Sequence, residues 1–155
     1  MKKFFLMLLF LSLISAFCGS SAAEDWEIIS GKSVGWISIG ERIEKVQEFF
    51  GETSDRMGAL YWYKNEGLEF YAPGHQIERI IIVKHDGGKA SYATSSGISV
   101  GSSNEEVIRA YGETERALYS QGEYVLNYFE RGITFFIKDG VVSKILLYKR
   151  LGSCG

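Results

Sequence analysis

The sequence has little of several residue types that particular classes of protein need. Of its 155 residues, one is proline, two are cysteine and two are histidine. So few histidines and cysteines leave little material for a metal site or for a nucleophile activated by a base. Charge is nearly balanced, with 17 basic and 19 acidic residues and a formal net charge of −2, which argues against nucleic acid as a main partner. These shortages favour a binding protein over an enzyme, and we expect no cofactor and no metal.

Glycine and apolar residues are abundant by contrast. The chain has 18 glycines, 46% hydrophobic residues and 14% aromatic residues. This composition is typical of a globular protein. Many glycines with almost no proline indicate tight turns, as in a fold rich in hairpins.

The first 23 residues have the three parts of a secretory signal peptide. Lys2 and Lys3 form a basic start, an apolar run begins at Phe4, and Ser21-Ala22-Ala23 offers a cleavage site between small residues. We expect cleavage after Ala23 and export to the periplasm or the extracellular space. Removal of the two lysines leaves 15 basic and 19 acidic residues, a net charge of −4.

The two cysteines leave two alternatives open. Lipidation of Cys18 would anchor the chain to a membrane, but the bulky Phe17 before it fits a lipoprotein signal poorly, and we favour plain cleavage. Cys154 is then the only cysteine of the mature chain. It is either an exposed thiol on the tail or one half of an interchain disulfide.

The body of the chain contains an internal repeat. Ile37-Ser38-Ile39-Gly40 recurs 61 residues later as Ile98-Ser99-Val100-Gly101. Identities in the same order, broken by one insertion, indicate two copies of one supersecondary unit. Further matches at offsets of 61 and then 65 pair Val46 with Val107, Tyr63 with Tyr128, Gly67 with Gly132, Phe70 with Phe135 and Ile80 with Ile145.

Each copy predicts one helix followed by three strands. A stretch of helical period follows Gly40 and Gly101, and three strand-like runs separated by turn signals follow each helix. We therefore predict an α+β fold of two tandem helix-plus-three-strand antiparallel meander repeats, with the helices on one face of the sheet. The predicted strands are Leu60–Lys64, Leu68–Ala72 and Ile77–Lys84 in the first copy, and Tyr124–Phe129, Ile133–Lys138 and Val142–Tyr148 in the second. The predicted domains are a signal peptide at 1–23, repeats at 24–86 and 97–150, a linker at 87–96 and a tail at 151–155.

The ends of the two predicted helices carry recognisable signals. Ser103 and Glu106 form the pattern of a capping box in the second copy, whereas Arg42 stands at the equivalent start in the first. Gly51 and Gly112 follow the helices, where a left-handed C-cap would end them.

Strand alternation divides the aromatic side chains between two faces of the sheet. Leu68, Phe70 and Ala72 form an apolar set that should lie under the helices, which leaves the alternate positions on the opposite face. A surface of aromatic side chains among polar ones is typical of a protein-binding site. The alternative is that these aromatics pack on each other or under the segment 26–36. The predicted protein-binding face consists of Trp62, Glu69, Tyr71, Phe129, Thr134 and Phe136.

The third strand of each copy is apolar on both of its faces. Ile80-Ile81-Ile82-Val83 runs without a polar residue, and so does Ile145-Leu146-Leu147. Such a strand either is central in its sheet or is covered on its second face by another element or a partner.

The pattern of the second copy resembles the SmpA/OmlA family, which includes the BamE lipoproteins of outer-membrane assembly. The matching residues are Gly101-Ser102-Ser103-Asn104-Glu105-Glu106-Val107 and Tyr111-Gly112, then Tyr128 and Phe135. The first copy matches at Gly40, Val46, Phe50-Gly51, Tyr63 and Phe70. Two such units in tandem are similar to the β-lactamase-inhibitory-protein (BLIP-like) architecture, which implies a concave sheet face presented to a protein target. The doubled repeat departs from BamE, and the lack of two disulfides departs from the inhibitory proteins.

Residues with catalytic potential have ordinary explanations. His75 lies in a turn, and His85 stands beside Asp86 in a stretch typical of a solvated loop. We predict a non-catalytic exported protein-binding module whose partner is another protein, with no nucleic acid and with membrane association only if Cys18 is lipidated. The alternatives are an envelope assembly factor of the BamE kind and, with little support, a small secreted hydrolase.

Overall fold

The structure is a computed structural model that describes residues 25–84, 91–114, 116–120 and 122–150. The predicted signal peptide with Cys18, the tail with Cys154, and His85 lie outside the described residues. So do residues 87–90 of the predicted linker, whereas Ser91–Thr94 from the same stretch forms a strand.

The described residues form two short helices and twelve strands. The first part of the chain holds β1 (Asp25–Ile29), β2 (Ser33–Val34), β3 (Ile37–Ser38), α1 (Ile43–Phe50), β4 (Arg56–Met57), β5 (Leu60–Tyr63), β6 (Leu68–Tyr71) and β7 (Arg79–Val83). The second part holds β8 (Ser91–Thr94), α2 (Asn104–Tyr111), β9 (Arg116–Ser120), β10 (Glu123–Tyr128), β11 (Ile133–Lys138) and β12 (Val141–Tyr148). Neither helix in these residues has the length and apolarity needed to cross a membrane.

The predicted fold of two helix-plus-three-strand repeats is wrong. The strands form one eight-stranded sheet, in the order β4-β5-β6-β7-β12-β11-β10-β9, and a separate four-stranded sheet, in the order β3-β2-β1-β8. Each helix is followed by four strands of the large sheet, because β4 and β9 add an edge strand to each half. Strands of two residues, such as β2, β3 and β4, are too short to show the alternation by which a strand is recognised in a sequence.

The centre of the large sheet explains the doubly apolar third strands. β7 and β12 are its two middle strands and pair antiparallel, with Ile81 opposite Leu146 and Ile80 opposite Leu147. Of the two explanations offered above, a central position is therefore the one found.

One face of the large sheet forms the hydrophobic core. Phe70 and Phe135, which the repeat pairs with each other, are both completely buried there. Both helices and the small sheet pack on this same face, because their apolar residues belong to one cluster with those of the large sheet. Burial of this apolar surface is the main driving force for folding. The cluster includes Ile43 and Val46 from α1, Val107 from α2, and Ile28, Val34, Ile37 and Tyr92 from the small sheet.

The helix ends confirm the capping box and correct the C-cap. The Ser103 side chain accepts a hydrogen bond from the Glu106 backbone N–H, and the Glu106 carboxylate accepts one from the Ser103 backbone N–H. Arg42, at the equivalent start of α1, makes no side-chain cap bond. Gly51 and Gly112 have positive φ angles, but their ψ angles of 165° and 172° are extended, so the prediction of left-handed C-caps is wrong.

Equivalent tyrosines tie the second large-sheet strand of each half to the preceding helix. The Tyr63 hydroxyl donates to the carbonyl oxygen of Gly51 at 3.2 Å, and the Tyr128 hydroxyl donates to that of Gly112 at 2.7 Å. In both cases the acceptor is the carbonyl immediately after the helix. Burial raises the pKa of both hydroxyls, so both remain protonated donors at neutral pH.

Glycine is required where the turn before β11 meets the small sheet. Gly132 has a φ of +68°, and a Cβ atom there would lie 2.5 Å from the carbonyl oxygen of Tyr148 and 2.6 Å from the Cα of Gly31. Both contacts are with backbone, which cannot move aside cheaply. The turn between β1 and β2, which contains Gly31, is thereby seated directly on the large sheet.

The equivalent turn of the first half contacts the other edge of the small sheet. The Tyr92 hydroxyl on β8 donates to the carbonyl oxygen of Glu66 at 2.6 Å. Burial raises the pKa of this hydroxyl as well. The small sheet is therefore held at one edge by the first half and at its β1–β2 turn by the second half.

Candidate protein-binding face

The open face is defined here as the surface of the large sheet that points away from both helices. It carries the residues that alternate with the core positions on each strand. Its middle row crosses six strands, with each residue directly opposite the next, in the order Trp62, Glu69, Ile81, Leu146, Thr134 and Asn127. The sheet thus brings together positions from both halves of the chain.

Five of the six residues of the predicted binding face lie on the open face. Trp62, Glu69 and Thr134 are in the middle row. Tyr71 and Phe136 lie in the rows on either side, and each alternates with core residues on its strand. The register of the repeat is the signal that gave these orientations from sequence.

Phe129 is the exception among the predicted residues. It lies in the 3-10 turn Phe129–Arg131, beyond the end of β10, whereas the sequence predicted a strand through this position. Its side chain is 58% exposed and its ring centroid is 6.4 Å from that of Tyr148, an open-face residue at the end of β12. Phe129 therefore borders the open face instead of forming part of it.

The two halves of the open face differ in accessibility. Thr134 is only 4% exposed and Phe136 only 7%, so neither offers much surface to a partner. Trp62, Glu69 and Tyr71 are half-buried and present part of their surface to solvent. The accessible part of the predicted face is therefore the part contributed by the first half of the chain.

Cations lie over the aromatic rings in both halves of the open face. The Arg79 guanidinium carbon is 5.4 Å from the Tyr71 ring centroid, and the Lys144 ammonium nitrogen is 4.2 Å from the Phe136 ring centroid. Such contacts are worth about 0.5–1 kcal/mol at exposed sites. Sequence reasoning missed Arg79, although its place directly opposite Tyr71 follows once the two strands are paired.

The segment 26–36 does not cover the open face. Its Trp26 ring stacks on Phe50 of α1 with centroids 5.7 Å apart, and it meets Tyr92 at 5.9 Å. Because α1 and Tyr92 belong to the core side of the large sheet, this part of the alternative given by the sequence is wrong.

A second exposed aromatic surface lies on the helix side of the molecule. Trp36 is 36% exposed and Phe49 is 59% exposed, and their ring centroids are 4.9 Å apart. Sequence reasoning assigned no role to this pair. It provides a matched control for tests of the open face, because it too exposes aromatic surface but belongs to other elements.

The described histidine is placed as the sequence predicted, in an exposed turn. His75 Nδ1 lies 2.5 Å from a carboxylate oxygen of Glu44 on α1. The pKa of that carboxyl is lowered, first by a backbone hydrogen bond and then by His75 and Arg42. Within the described residues, no three histidine, cysteine, aspartate or glutamate side chains are grouped as metal ligands would be.

Comparisons of the chain with protein-family models, with curated proteins and with solved structures found no match. The resemblance to the SmpA/OmlA family and to the BLIP-like architecture therefore stays a prediction of the sequence.

Proposed function

We propose that the chain is a non-catalytic protein-binding module that holds a segment of another protein on the open face, in the exported compartment that its first 23 residues predict. The observation that carries this proposal is the adjacency of Trp62, Tyr71 and Arg79 on that face. These are the three residue types most enriched among the residues that dominate protein–protein binding energy.

The three side chains form one continuous group. Tyr71 is directly opposite Arg79 across β6 and β7. Trp62 is opposite Glu69, two residues from Tyr71, so it is the diagonal neighbour of the tyrosine across β5 and β6. Diagonal neighbours on a sheet are within reach of each other when their side chains are large.

The group is held in position before a partner arrives. Its strands are fixed by the fully buried core residues Leu68, Phe70 and Ile80 on the other face, and the Arg79 guanidinium lies over the Tyr71 ring. Ordering side chains at an interface costs about 0.5–1.5 kcal/mol each. Side chains that are already ordered avoid most of that cost.

The neighbouring positions indicate the chemistry of the partner segment. Ile81 and Leu146 are half-buried beside the group and offer an apolar floor. Arg79 is exposed and can accept a carboxylate through its planar array of donors. The segment that fits this surface places an apolar side chain against Ile81 and a carboxylate beside Arg79.

The test compares proteins captured from an extract of the source cells by matched variants. We expect at least one protein to be captured by the unchanged chain and by Trp36→Ala but lost from Trp62→Ala and from Tyr71→Ala. Truncation of a residue that dominates an interface costs about 2 kcal/mol or more, a loss of affinity of roughly thirtyfold. A set of captured proteins that is the same for all four chains would contradict the proposal.

A further inference from the structure

A cleft of about 330 Å³ lies where the small sheet meets the second half of the large sheet. It shares no residue with the open face. Five separate parts of the chain converge on it: the β1–β2 turn, the segment after β8, the end of α2, the turn before β11 and the residues after β12. Its polar side chains include Ser30, Ser95, Ser96, Tyr111, Arg131 and Arg150.

Backbone packing at Gly31 brings the two arginines to this one place. A Cβ atom on Gly31 would lie 2.8 Å from the carbonyl oxygen of Arg131 and 3.3 Å from the Cβ of Arg150. The β1–β2 turn therefore touches both arginine residues at once. Since Gly31 also has a φ of +70°, a side chain here would strain the turn and disturb the wall of the cleft.

One arginine and two hydroxyls of the cleft are arranged by contacts with each other. The Arg131 guanidinium carbon lies 5.2 Å from the ring centroid of Tyr111. The Tyr111 hydroxyl oxygen is 3.4 Å from Ser30 Oγ. A guanidinium stacked on an aromatic ring keeps the N–H groups at its edge available for another acceptor.

The positive charge of the cleft is not neutralised by an ion pair. Glu27 also lines the cleft, but among the ion pairs of the described residues none joins a carboxylate to Arg131 or to Arg150 within 4.0 Å. Two guanidinium groups thus face one carboxylate.

The equivalent cleft of the first half has the opposite charge. It measures about 320 Å³ and is lined by Phe50, at the position of Tyr111, and by Glu66, at the position of Arg131. Glu52 and Asp55 add further carboxylates to its lining. The basic character of the second cleft therefore comes from its own residues and is not a general property of this place in the repeat.

We propose that the arginine cleft binds an oxyanion, the phosphate or carboxylate group of a small ligand. Arg131 and Arg150 supply the charge-assisted donors that such groups require, in a geometry that suits two oxygen atoms at a time. The serine hydroxyls and the Tyr111 hydroxyl supply further donors.

The test is a titration of the isotopically labelled chain with inorganic phosphate and, separately, with acetate at constant ionic strength, followed by amide NMR spectra. We expect saturable shifts at the amides of Ser30, Ser95 and Ser96. Removal of one charge-assisted donor group, in Arg131→Gln or Arg150→Gln, weakens binding roughly tenfold or more. Saturation by phosphate alone indicates a phosphorylated ligand, and saturation by acetate as well indicates that carboxylates are also accepted.

Arg56→Gln is the matched control, because it removes the same charge from an exposed residue on the opposite edge strand of the large sheet. The amides of Thr53 and Ser54 report on the acidic cleft of the first half and should not shift. Absence of saturable shifts with both anions would overturn the proposal. So would equal affinity in Arg56→Gln and in the two arginine-cleft variants.

Discussion

Replacement of Gly132 by alanine should destabilise the protein strongly. The φ of +68° would itself cost an alanine about 1–2 kcal/mol. The new Cβ would also lie 2.5 Å from the carbonyl oxygen of Tyr148 and 2.6 Å from the Cα of Gly31, and overpacking of this kind adds about 1–3 kcal/mol. We therefore expect the free energy of unfolding to fall by about 2–5 kcal/mol for Gly132→Ala.

The control is Gly74→Ala, which meets the same backbone preference without the contacts. Gly74 has a φ of +61°, and an added Cβ atom would find nothing within 4 Å. Urea unfolding followed by circular dichroism measures both variants through their midpoints at unchanged slope. The difference between them isolates the cost of pushing the β1–β2 turn away from the large sheet.

Equal destabilisation by the two substitutions would refute the reasoning. It would mean that the small sheet is not seated on the Gly132 turn at the distances the structure gives. A loss in Gly132→Ala that exceeds the loss in Gly74→Ala by about 1 kcal/mol or more supports that contact.

Three further outcomes follow from individual contacts. Tyr128→Phe removes the hydrogen bond to Gly112 and should lower the urea-derived unfolding free energy by about 1 kcal/mol. Ser103→Ala breaks the capping box and should cost about 1 kcal/mol in the same assay, while Arg42→Ala, at the uncapped start of α1, should cost clearly less. Because burial raises the pKa of Tyr92 above its ordinary 10.0, that group keeps its proton in the fold after it has lost it in the unfolded chain, so stability present below pH 10.0 is lost as pH rises. Urea midpoints from about pH 9 to about pH 11 should therefore fall less steeply in Tyr92→Phe than in the unchanged chain.

The main elements of the fold could be predicted where the sequence is periodic. α1 and α2 have apolar residues at helical spacing, and β11 was predicted with the bounds that the structure shows, Ile133–Lys138. The short elements could not be predicted. β4 has two residues and both are exposed, so neither burial nor alternation marks it in the sequence.

The small sheet was missed for a different reason. β8 lies in a stretch rich in glycine and serine that reads as a linker, and it pairs with β1, more than 60 residues earlier, in parallel. A pairing over such a distance leaves no local signal in either strand. The predicted repeat therefore lacked the element that packs on the turns of both halves.

The candidate face was accessible to sequence reasoning because strand alternation has a period of two. Once Asn127 was assigned to the open face, the repeat assigned Trp62 to the same side, and the two residues do occupy opposite ends of one row. Burial at the face could not be derived in this way. Phe136 is 7% exposed although its place in the alternation matches that of the half-buried Tyr71.

The arginine cleft shows why some sites cannot be found from one sequence. Its residues come from five parts of the chain between Glu27 and Arg150. They meet only because Gly31 allows two backbone segments to approach closely. Neither the spacing nor the type of these residues forms a motif along the chain.

The central claim is that the open face is where another protein binds. It is tested most directly by a photo-crosslinking amino acid placed at Glu69, in the middle row of that face, with the same probe at the exposed Glu48 on α1 as the control. On illumination in an extract of the source cells, the account predicts a discrete adduct with one protein from position 69 and none from position 48. Absence of an adduct at position 69, or the same adduct from both positions, would contradict it.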